Sequence, residues 1–482
     1  MNSNHNSHKQ SIMYPGNGRK AIFPKSCYML YICIFLLVIG CKKFITVDPP
    51  KTQIVLASVF TSDASAKSAM DGIYGQMMSV TGFANGSSVS ISALCGLSAD
   101  EFSNFSATFS QANFQTNSLD ASNSILLNAF WQPAYQYIYY SNAVIEGLNN
   151  ATDVSVGMKQ ELKGEAKFIR AFCNFYLVNL FGDIPLPLST DYRTNAVLPR
   201  KPKQEVYLQI IADLKEAQDV LVNDYSFSNG ERVRPNKWAA TALLARVYLY
   251  TGDWINAETQ SSSIINNTAN YSLVQDLNKV FYKNSQEAIW QLMPVIPGNN
   301  TNEGINFILN SIPNNIAIGP QLINAFETGD LRKDNWMGSI SVNGNIFYYP
   351  YKYKIKATGQ PLSEYSMVLR LSEQYLIRAE ARAQLNNIAG AKSDLNAIRS
   401  RSGLQNTMTN DKSTLLQSIV QERRIELFSE WGHRWLDLKR TNTADSVLSP
   451  IKFPNWQATD YLYPIPQTEL NNNSRLVQNP GY

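Results

Sequence analysis

Two segments of this chain, residues 238–265 and 373–398, can be laid over one another although a long insertion separates them. Small residues and turn residues coincide in this alignment: Ala245 falls on Ala379, Gly252 on Asn386, Trp254 on Ile388 and Ala257 on Ala391. Small residues where two helices approach, with a turn residue between them, predict a repeated helix–turn–helix unit. One such unit cannot bury its apolar face alone, so the repeat predicts a body of stacked helices.

The repeated unit resembles a tetratricopeptide repeat, and residues 158–183 with the helix before them form a third, looser copy. The sequence therefore predicts a mainly α fold, with helical repeats at about residues 124–266 and 368–440. A free-standing repeat array is not expected, because insertions of very unequal length separate the copies. Residues 63–482 are predicted to form one body.

In the largest insertion, residues 267–367, short stretches of alternating apolar and polar residues are interrupted by turn residues. This pattern predicts loops with short β-hairpins and a helix at residues 319–327. Asn343-Gly344, flanked by apolar residues, is a strong hairpin signal. Tyr349, Tyr351 and Tyr353 alternate along the second strand and are expected to face the core. That leaves Trp336 and Tyr348 as the aromatic residues expected to be exposed.

Residues 82–124 lack periodicity, and a stretch this long is typical of a functional loop or of disorder. Phenylalanines stand among serine, asparagine and threonine residues, at positions 102, 105, 109 and 114. Aromatic faces can cover the C–H side of a sugar ring while amides and hydroxyls bind its hydroxyl groups. A second interpretation stays open, in which these rings only pin the loop to the core.

The stretch 415–440 has an apolar stripe of one helix in Leu416, Val420, Leu427, Trp431, Trp435 and Leu438. Its acidic residues and arginines lie within one helical turn of one another. This spacing favours a core helix that is stabilised by half-buried ion pairs. Structural ion pairs are also expected for Arg370, Glu373, Arg378 and Glu380. Nothing places two carboxylates around an open cleft, so a glycosidase-like acid pair is not indicated.

The N-terminus predicts a secreted, lipid-anchored protein. Residues 1–40 contain a polar leader, a basic segment and an apolar run that is too short to span a membrane, as in a signal peptide. The residues before Cys41 resemble a bacterial lipobox, which implies that Cys41 is acylated. Residues 41–62, with Pro49-Pro50, are predicted to tether the body to the membrane.

Several functions lack the residues that they need. The net charge of +4 over 482 residues is too small and too dispersed to indicate nucleic acid. Only His433 follows the signal region, so metal sites and catalytic triads have almost no histidine, and no metal or cofactor is expected. Cys95 and Cys173 are the cysteines after Cys41, and whether they pair is left open.

Five blocks, in order, carry a resemblance to a known family. They are AMDGIYGQM from residue 69, GEAKFIRAFCNFYLVNLFGDIPL from residue 164, RLSEQYLIRAEA from residue 370, ERRIELFSEWGHRWLDLKR from residue 422, and the C-terminal YLYPIPQTELNNNSRLVQNPGY. Together they resemble the SusD/RagB family of nutrient-binding outer-membrane lipoproteins. The prolines of the last block are expected to fix a tail that packs back on the scaffold.

The resemblance implies a lipid-anchored protein on the cell surface that captures an oligosaccharide and delivers it to a SusC-like TonB-dependent transporter. No enzymatic activity is expected. From the residues alone, a helical scaffold or a peptide-binding lipoprotein without a carbohydrate ligand remains the alternative. The residues expected to contact the ligand are Phe102, Asn104, Phe105, Phe114, Trp336 and Tyr348.

Overall fold

The computed structural model of the protein describes residues 59–482. The predicted signal peptide, Cys41 and most of the tether lie outside the described residues. The longer helices are α1 (Asp63–Ser79), α2 (Ile91–Ser98), α3 (Phe109–Thr116), α4 (Gln132–Asn150), α5 (Val156–Phe181), α7 (Lys203–Val220), α8 (Lys237–Thr251), α9 (Trp254–Ile265), α13 (Leu371–Gln384), α14 (Ile388–Arg401), α15 (Lys412–Glu426) and α16 (His433–Arg440). The shorter ones are α6 (Tyr192–Asn195), α10 (Asn302–Phe307), α11 (Pro320–Ile323), α12 (Leu331–Trp336), α17 (Ala444–Leu448) and α18 (Gln467–Asn472), and a π-helical turn (Leu126–Trp131) leads into α4.

The strands form small antiparallel pairs. They are β1 (Phe102–Asn104) with β3 (Ile316–Ile318), β2 (Ala288–Leu292) with β6 (Ser366–Arg370), and β4 (Met337–Val342) with β5 (Asn345–Pro350). The predicted mainly α fold is confirmed. None of the helices in residues 59–482 combines the length and the apolar character that crossing a bilayer requires.

The sequence repeat corresponds to two helix pairs, α8–α9 and α13–α14, and α9 packs against α13. Gly252 (φ 74°) and Asn386 (φ 64°), which the alignment equates, both adopt the left-handed conformation that turns the chain between the helices. The four aligned alanines are fully buried. Arg246 of α8 binds Glu373 of α13 through two hydrogen bonds of 2.7 and 2.6 Å, so a buried ion pair joins the two repeats.

Helix α5 lies at the centre of the core and packs against α4 and α7. Its Phe172 contacts Trp290 of β2, with ring centroids 5.4 Å apart, and Trp431 at 5.3 Å. The C-terminal tail packs back on the end of this helix, as predicted. The amide of Asn479 donates to the carbonyl of Phe181 at 2.8 Å, and the backbone N–H of Tyr463 donates to the carbonyl of Leu180 at 2.9 Å.

The single helix predicted for residues 415–440 is wrong, because the chain forms α15 and α16 with a break at residues 427–432. Ser429, Trp431 and Gly432 all have positive φ there. The break carries the Trp431 ring into the core beside α5, and a side chain at Gly432 would lie 2.7 Å from the Cβ of Cys95. Leu416 and Val420 consequently stay half-exposed, and α15 buries Leu415 and Ile419 instead.

Residues 82–124 are more regular than predicted, since they contain α2, β1 and α3. All eight residues of α2 are buried. A helix surrounded on every side has no polar face, and the sequence therefore shows no helical periodicity. Cys95 of α2 and Cys173 of α5 are buried free thiols that do not form a disulfide with each other.

The predicted hairpin in the insertion is confirmed. Asn343 (φ 52°) and Gly344 (φ 79°) form its two-residue turn, and Val342 pairs with Asn345. Two consecutive residues with positive φ are what a tight hairpin turn of this length requires. The helix predicted at residues 319–327 is shorter in the structure, where it spans Pro320–Ile323.

Candidate functional site

Two of the predicted ligand contacts belong to the hydrophobic core. Phe102 lies in β1 with its ring 6.2 Å from that of Phe307. Phe114 is completely buried, and its ring lies 5.5 Å from that of Tyr463 in the C-terminal tail. For these two residues the expectation of ligand contact is wrong and the alternative interpretation, that the rings pin the segment to the core, is correct.

Trp336, which was expected to be exposed, is also fully buried. Its indole N–H donates to the carbonyl of Leu277 at 2.8 Å. The ammonium of Lys352 lies 4.7 Å from the ring centroid, and the guanidinium groups of Arg401 and Arg370 lie at 5.7 and 5.9 Å. Since these cations come from distant parts of the sequence, the pattern around Trp336 could not reveal that it is enclosed.

The cations around Trp336 belong to what we call the buried charge cluster. Its members come from the insertion and from the C-terminal helices: Glu287, Asp330, Arg332, Lys352, Arg370, Arg401, Glu422, Glu426 and Glu430. All of them are buried. The ion pairs predicted in the C-terminal region are therefore confirmed, but they connect separate elements and are more deeply buried than expected.

Phe105 is the predicted ligand-binding ring that the structure leaves accessible, with 39% of its surface exposed. It packs edge-to-face against Phe347 of β5 at a centroid distance of 5.6 Å. Its backbone N–H donates to the carbonyl of Asn315 at 2.6 Å, which joins the first loop to the insertion. The two regions that were predicted to contribute to one site do meet at this point.

Asn104 and Tyr348 lie beside this contact and have other partners. The Asn104 side chain accepts from the N–H of Ser106 and donates to its carbonyl, both at 3.2 Å, so it shapes the loop that presents Phe105. Tyr348 is half-buried and packs against the core. Side chains alternate along a strand, so Phe347 and Tyr348 point to opposite faces of β5.

We call the surface formed by Phe105, Phe347 and the half-buried Asn315 the aromatic patch. Sequence reasoning missed Phe347, because periodicity could not say which face of the hairpin meets the first loop. The patch has a property that is visible in the sequence: the three segments that build it, residues 102–119, 304–326 and 337–351, contain no charged residue. Rings, amides and hydroxyls without charge suit a neutral polar ligand.

A buried carboxyl group, that of Glu101, directly precedes β1 in the chain. Burial raises the pKa of Glu101 to about 8, and the neighbouring Asp100 adds to the shift. The backbone carbonyl of Glu101 accepts from the N–H of Gly319 at 2.8 Å, which ties β1 to the insertion. The carboxyl with the raised pKa thus belongs to a residue whose backbone is hydrogen-bonded to the insertion.

The raised pKa of Glu101 predicts a pH dependence of stability. Because the folded state holds the proton of Glu101 more tightly than the unfolded chain does, stability falls as pH rises from about 4.5 to 8, by at most about 1.4 kcal/mol per pH unit from this group. Glu101→Gln removes the titration, so the variant should gain stability relative to the wild type over this range. Urea unfolding at pH 5 and at pH 8.5 measures the difference, and an equal loss in both proteins would contradict the prediction.

Among residues 59–482, no group of three His, Cys, Asp or Glu side chains is arranged to hold a metal ion. His433 is buried, and burial together with nearby arginines holds its pKa well below the usual value.

Comparison with known proteins gives a consistent result. The family model described as "SusD family" matches residues 221–482, and a second model, described as "Starch-binding associating with outer membrane", matches residues 43–249. The chain is 27% identical to SusD-like protein P2 of Formosa agariphila, over 95% of this chain and all of that protein. It is 24% identical to a SusD-like protein of Bacteroides ovatus, over 86% of this chain and 82% of that protein.

Solved structures show the same fold. A SusD superfamily protein of Parabacteroides distasonis superposes with a TM-score of 0.75 at 21% identity, covering 87% of this chain and 99% of that one. A structure described as a laminarin-binding SusD-like protein superposes with a TM-score of 0.73 at 24% identity, covering 88% of this chain and 100% of that one. Since the first family model spans more than half of the chain, the protein belongs to the SusD family.

Proposed function

We propose that the protein is a cell-surface lipoprotein that binds a neutral oligosaccharide on the aromatic patch and delivers it to a SusC-like TonB-dependent transporter. The observation that carries the ligand class is the contact between Phe105 and Phe347 on a surface built from uncharged segments. SusD-like proteins are binding proteins rather than enzymes, and one structural neighbour is described as binding laminarin, a neutral polysaccharide.

Replacing both patch rings, in Phe105→Ala/Phe347→Ala, should weaken glycan binding at least tenfold. Each ring contributes on the order of 1 kcal/mol through stacking, and tenfold corresponds to about 1.4 kcal/mol. Native affinity gels with laminarin, starch, xylan and mannan identify the ligand, and calorimetry on the polysaccharide that retards the protein then measures the affinity. Wild-type dissociation constants are expected between micromolar and millimolar.

Phe453→Ala is the matched control, because Phe453 is an exposed phenylalanine outside the segments that build the patch. It should leave retardation unchanged. Equal binding by the wild type and the double variant would place the glycan elsewhere, and release of free sugar from the gel matrix would indicate an enzyme instead.

The anchor is proposed at Cys41. Several acyl chains on one residue hold a protein firmly to a membrane, since each buried CH₂ contributes about 0.8 kcal/mol. Cys41→Ser should therefore abolish palmitate incorporation and release the protein from the outer-membrane fraction. Cys27→Ser, within the predicted signal peptide, is the control and should remain membrane-bound; a labelled Cys41→Ser protein would contradict the assignment.

One observation favours the alternative function, a scaffold that binds a peptide. A cavity of about 680 Å³ lies among α8, α13, α15 and α16 and is lined by the half-exposed Leu416 and Val420 of α15, together with Trp254. This function is supported if no polysaccharide retards the protein while Val420→Asp disrupts co-purification with the transporter.

A further inference from the structure

A groove lies on the helical scaffold, apart from the aromatic patch. It is a cavity of about 510 Å³ between α4, the linker at residues 185–198 and the C-terminal helix α18. Ligand sites in proteins typically have volumes of about 300–1,000 Å³. None of the residues that build the aromatic patch lines this groove, which we call the α4 groove.

Three aromatic rings, those of Trp131, Tyr135 and Tyr139, line the groove along one face of the helix. Their spacing of four residues places them one above the other. The rings of Trp131 and Tyr135 pack at a centroid distance of 4.9 Å. Exposure increases along the row, from the buried Trp131 to Tyr139, which is 48% exposed. The apolar ring surface is therefore most accessible at the Tyr139 end of the row.

The opposite wall is held in place by side chains that bind backbone carbonyls of the linker and its flanks. Tyr135 donates to Pro185 at 2.8 Å, Asn142 to Pro187 at 3.1 Å, Asn195 to Ser189 at 2.7 Å and Asn473 to Leu198 at 2.8 Å. Hydrogen bonds from several elements fix the linker relative to the rings. The groove is therefore preformed, which lowers the entropic cost of binding.

Other polar groups in the lining remain free to bind a ligand. Within the part of the chain that the structure describes, the amides of Gln132 and Asn472 and the hydroxyl of Tyr139 make no side-chain hydrogen bond. Burial raises the pKa of Glu469, and a hydrogen bond from the Trp131 side chain opposes that shift. No lysine or arginine lines the groove, so it lacks the partner that an acidic ligand requires.

We propose that the α4 groove binds a neutral saccharide, with the exposed Tyr139 ring against the C–H face of a sugar and the free amides and the Tyr139 phenol on its hydroxyl groups. The proposal shares its ligand class with the proposed function and rests on it in that respect. It uses separate residues, so either site can fail without the other. Because the described lining contains no lysine or arginine, uronic acids and sulfated sugars would find no cationic side chain within this groove.

The test is ¹⁹F NMR of protein labelled with 5-fluorotryptophan. The chain has 8 tryptophans, and Trp131→Phe identifies the resonance at the groove. Laminarihexaose, maltohexaose, xylohexaose and mannohexaose are titrated into Phe105→Ala/Phe347→Ala, in which the patch is removed. At least one of them should shift the Trp131 resonance saturably, and Tyr139→Ala should weaken that binding at least fivefold. Tyr192→Ala, an exposed tyrosine outside the lining, is the control and should leave it unchanged.

Hexagalacturonate and a proline-rich decapeptide complete the titration. The acidic hexasaccharide should leave the Trp131 resonance in place. A shift by hexagalacturonate or by the peptide alone, or no shift with any of the four neutral hexasaccharides, would overturn the proposal. If polysaccharide still retards the wild type while the Trp131 resonance does not shift, the α4 groove is not a saccharide site and the proposed function is unaffected. If the Trp131 resonance shifts while the patch substitutions leave glycan affinity unchanged, the aromatic patch is not the glycan-binding site.

Discussion

Glu426→Gln is expected to destabilise the protein by about 3–5 kcal/mol, because it removes the one acid that three buried arginines share. Glu426 pairs with Arg401 at 2.5 Å, Arg370 at 2.6 Å and Arg332 at 3.0 Å. Although burial favours its neutral form, the three guanidinium groups outweigh that effect and hold the pKa of Glu426 well below the usual value. Glutamine keeps the shape but removes the charge that the three arginines share. Each arginine then depends on its other acids in the cluster, which are Asp330 and Glu422 for Arg332, Glu287 and Glu430 for Arg370, and Glu287 for Arg401. Urea unfolding followed by far-UV circular dichroism measures the loss.

Glu216→Gln is the matched control, since Glu216 is also paired, with Lys167, but its side chain is 60% exposed. An exposed pair contributes about 0–1 kcal/mol. If the urea unfolding midpoint of Glu426→Gln differs from that of the wild type as little as the midpoint of Glu216→Gln does, the charge cluster does not stabilise the fold.

Trp336→Ala is expected to cost about 3–5 kcal/mol, the range for removing a large aromatic residue from a core. The indole is fully buried, and its loss would also remove the ring that Lys352, Arg370 and Arg401 face. If Trp336 were a surface ligand contact, the same substitution would lower glycan affinity and leave the unfolding midpoint unchanged. Unfolding and binding measured on one preparation separate the two roles.

Phe105→Ala provides the comparison, because its ring is partly exposed. Its effect on stability should stay within about 0.5 kcal/mol while glycan affinity falls. A large loss of stability in Phe105→Ala, or none in Trp336→Ala, would reverse the assignment of the two residues.

The predictions for Glu426 and Trp336 concern the same structural role. The buried charge cluster joins the insertion to the helical scaffold. Arg332 and Trp336 belong to α12, which leads directly into the hairpin that carries Phe347. Glu426 and Glu430 come from α15 and the turn that follows it. A fixed hairpin keeps Phe347 against Phe105, and the aromatic patch is therefore preorganised by ion pairs buried away from it.

Local patterns in the sequence were sufficient to predict the repeats and the hairpin. Gly252 and Asn386 mark equivalent turns because both residue types tolerate the left-handed conformation, and Asn343-Gly344 specifies its turn for the same reason. These features depend on neighbouring residues, and neighbouring residues are what periodicity and turn preference describe.

Burial of individual residues could not be predicted in this way. Phe105 and Phe114 have similar polar surroundings in the sequence, yet one is partly exposed and the other is enclosed by Phe130 and Tyr463. The helix break at residues 427–432 likewise depends on the distant Cys95 and Phe172. Such outcomes depend on contacts between remote segments, which a single sequence does not display.

The most direct test is a crystal structure of the protein with the oligosaccharide that retards it in affinity gels. We predict a sugar ring stacked on Phe105 and Phe347, with hydroxyl groups bound to the amides beside them. Electron density for the oligosaccharide elsewhere, with both rings bare at saturating ligand, would contradict the account.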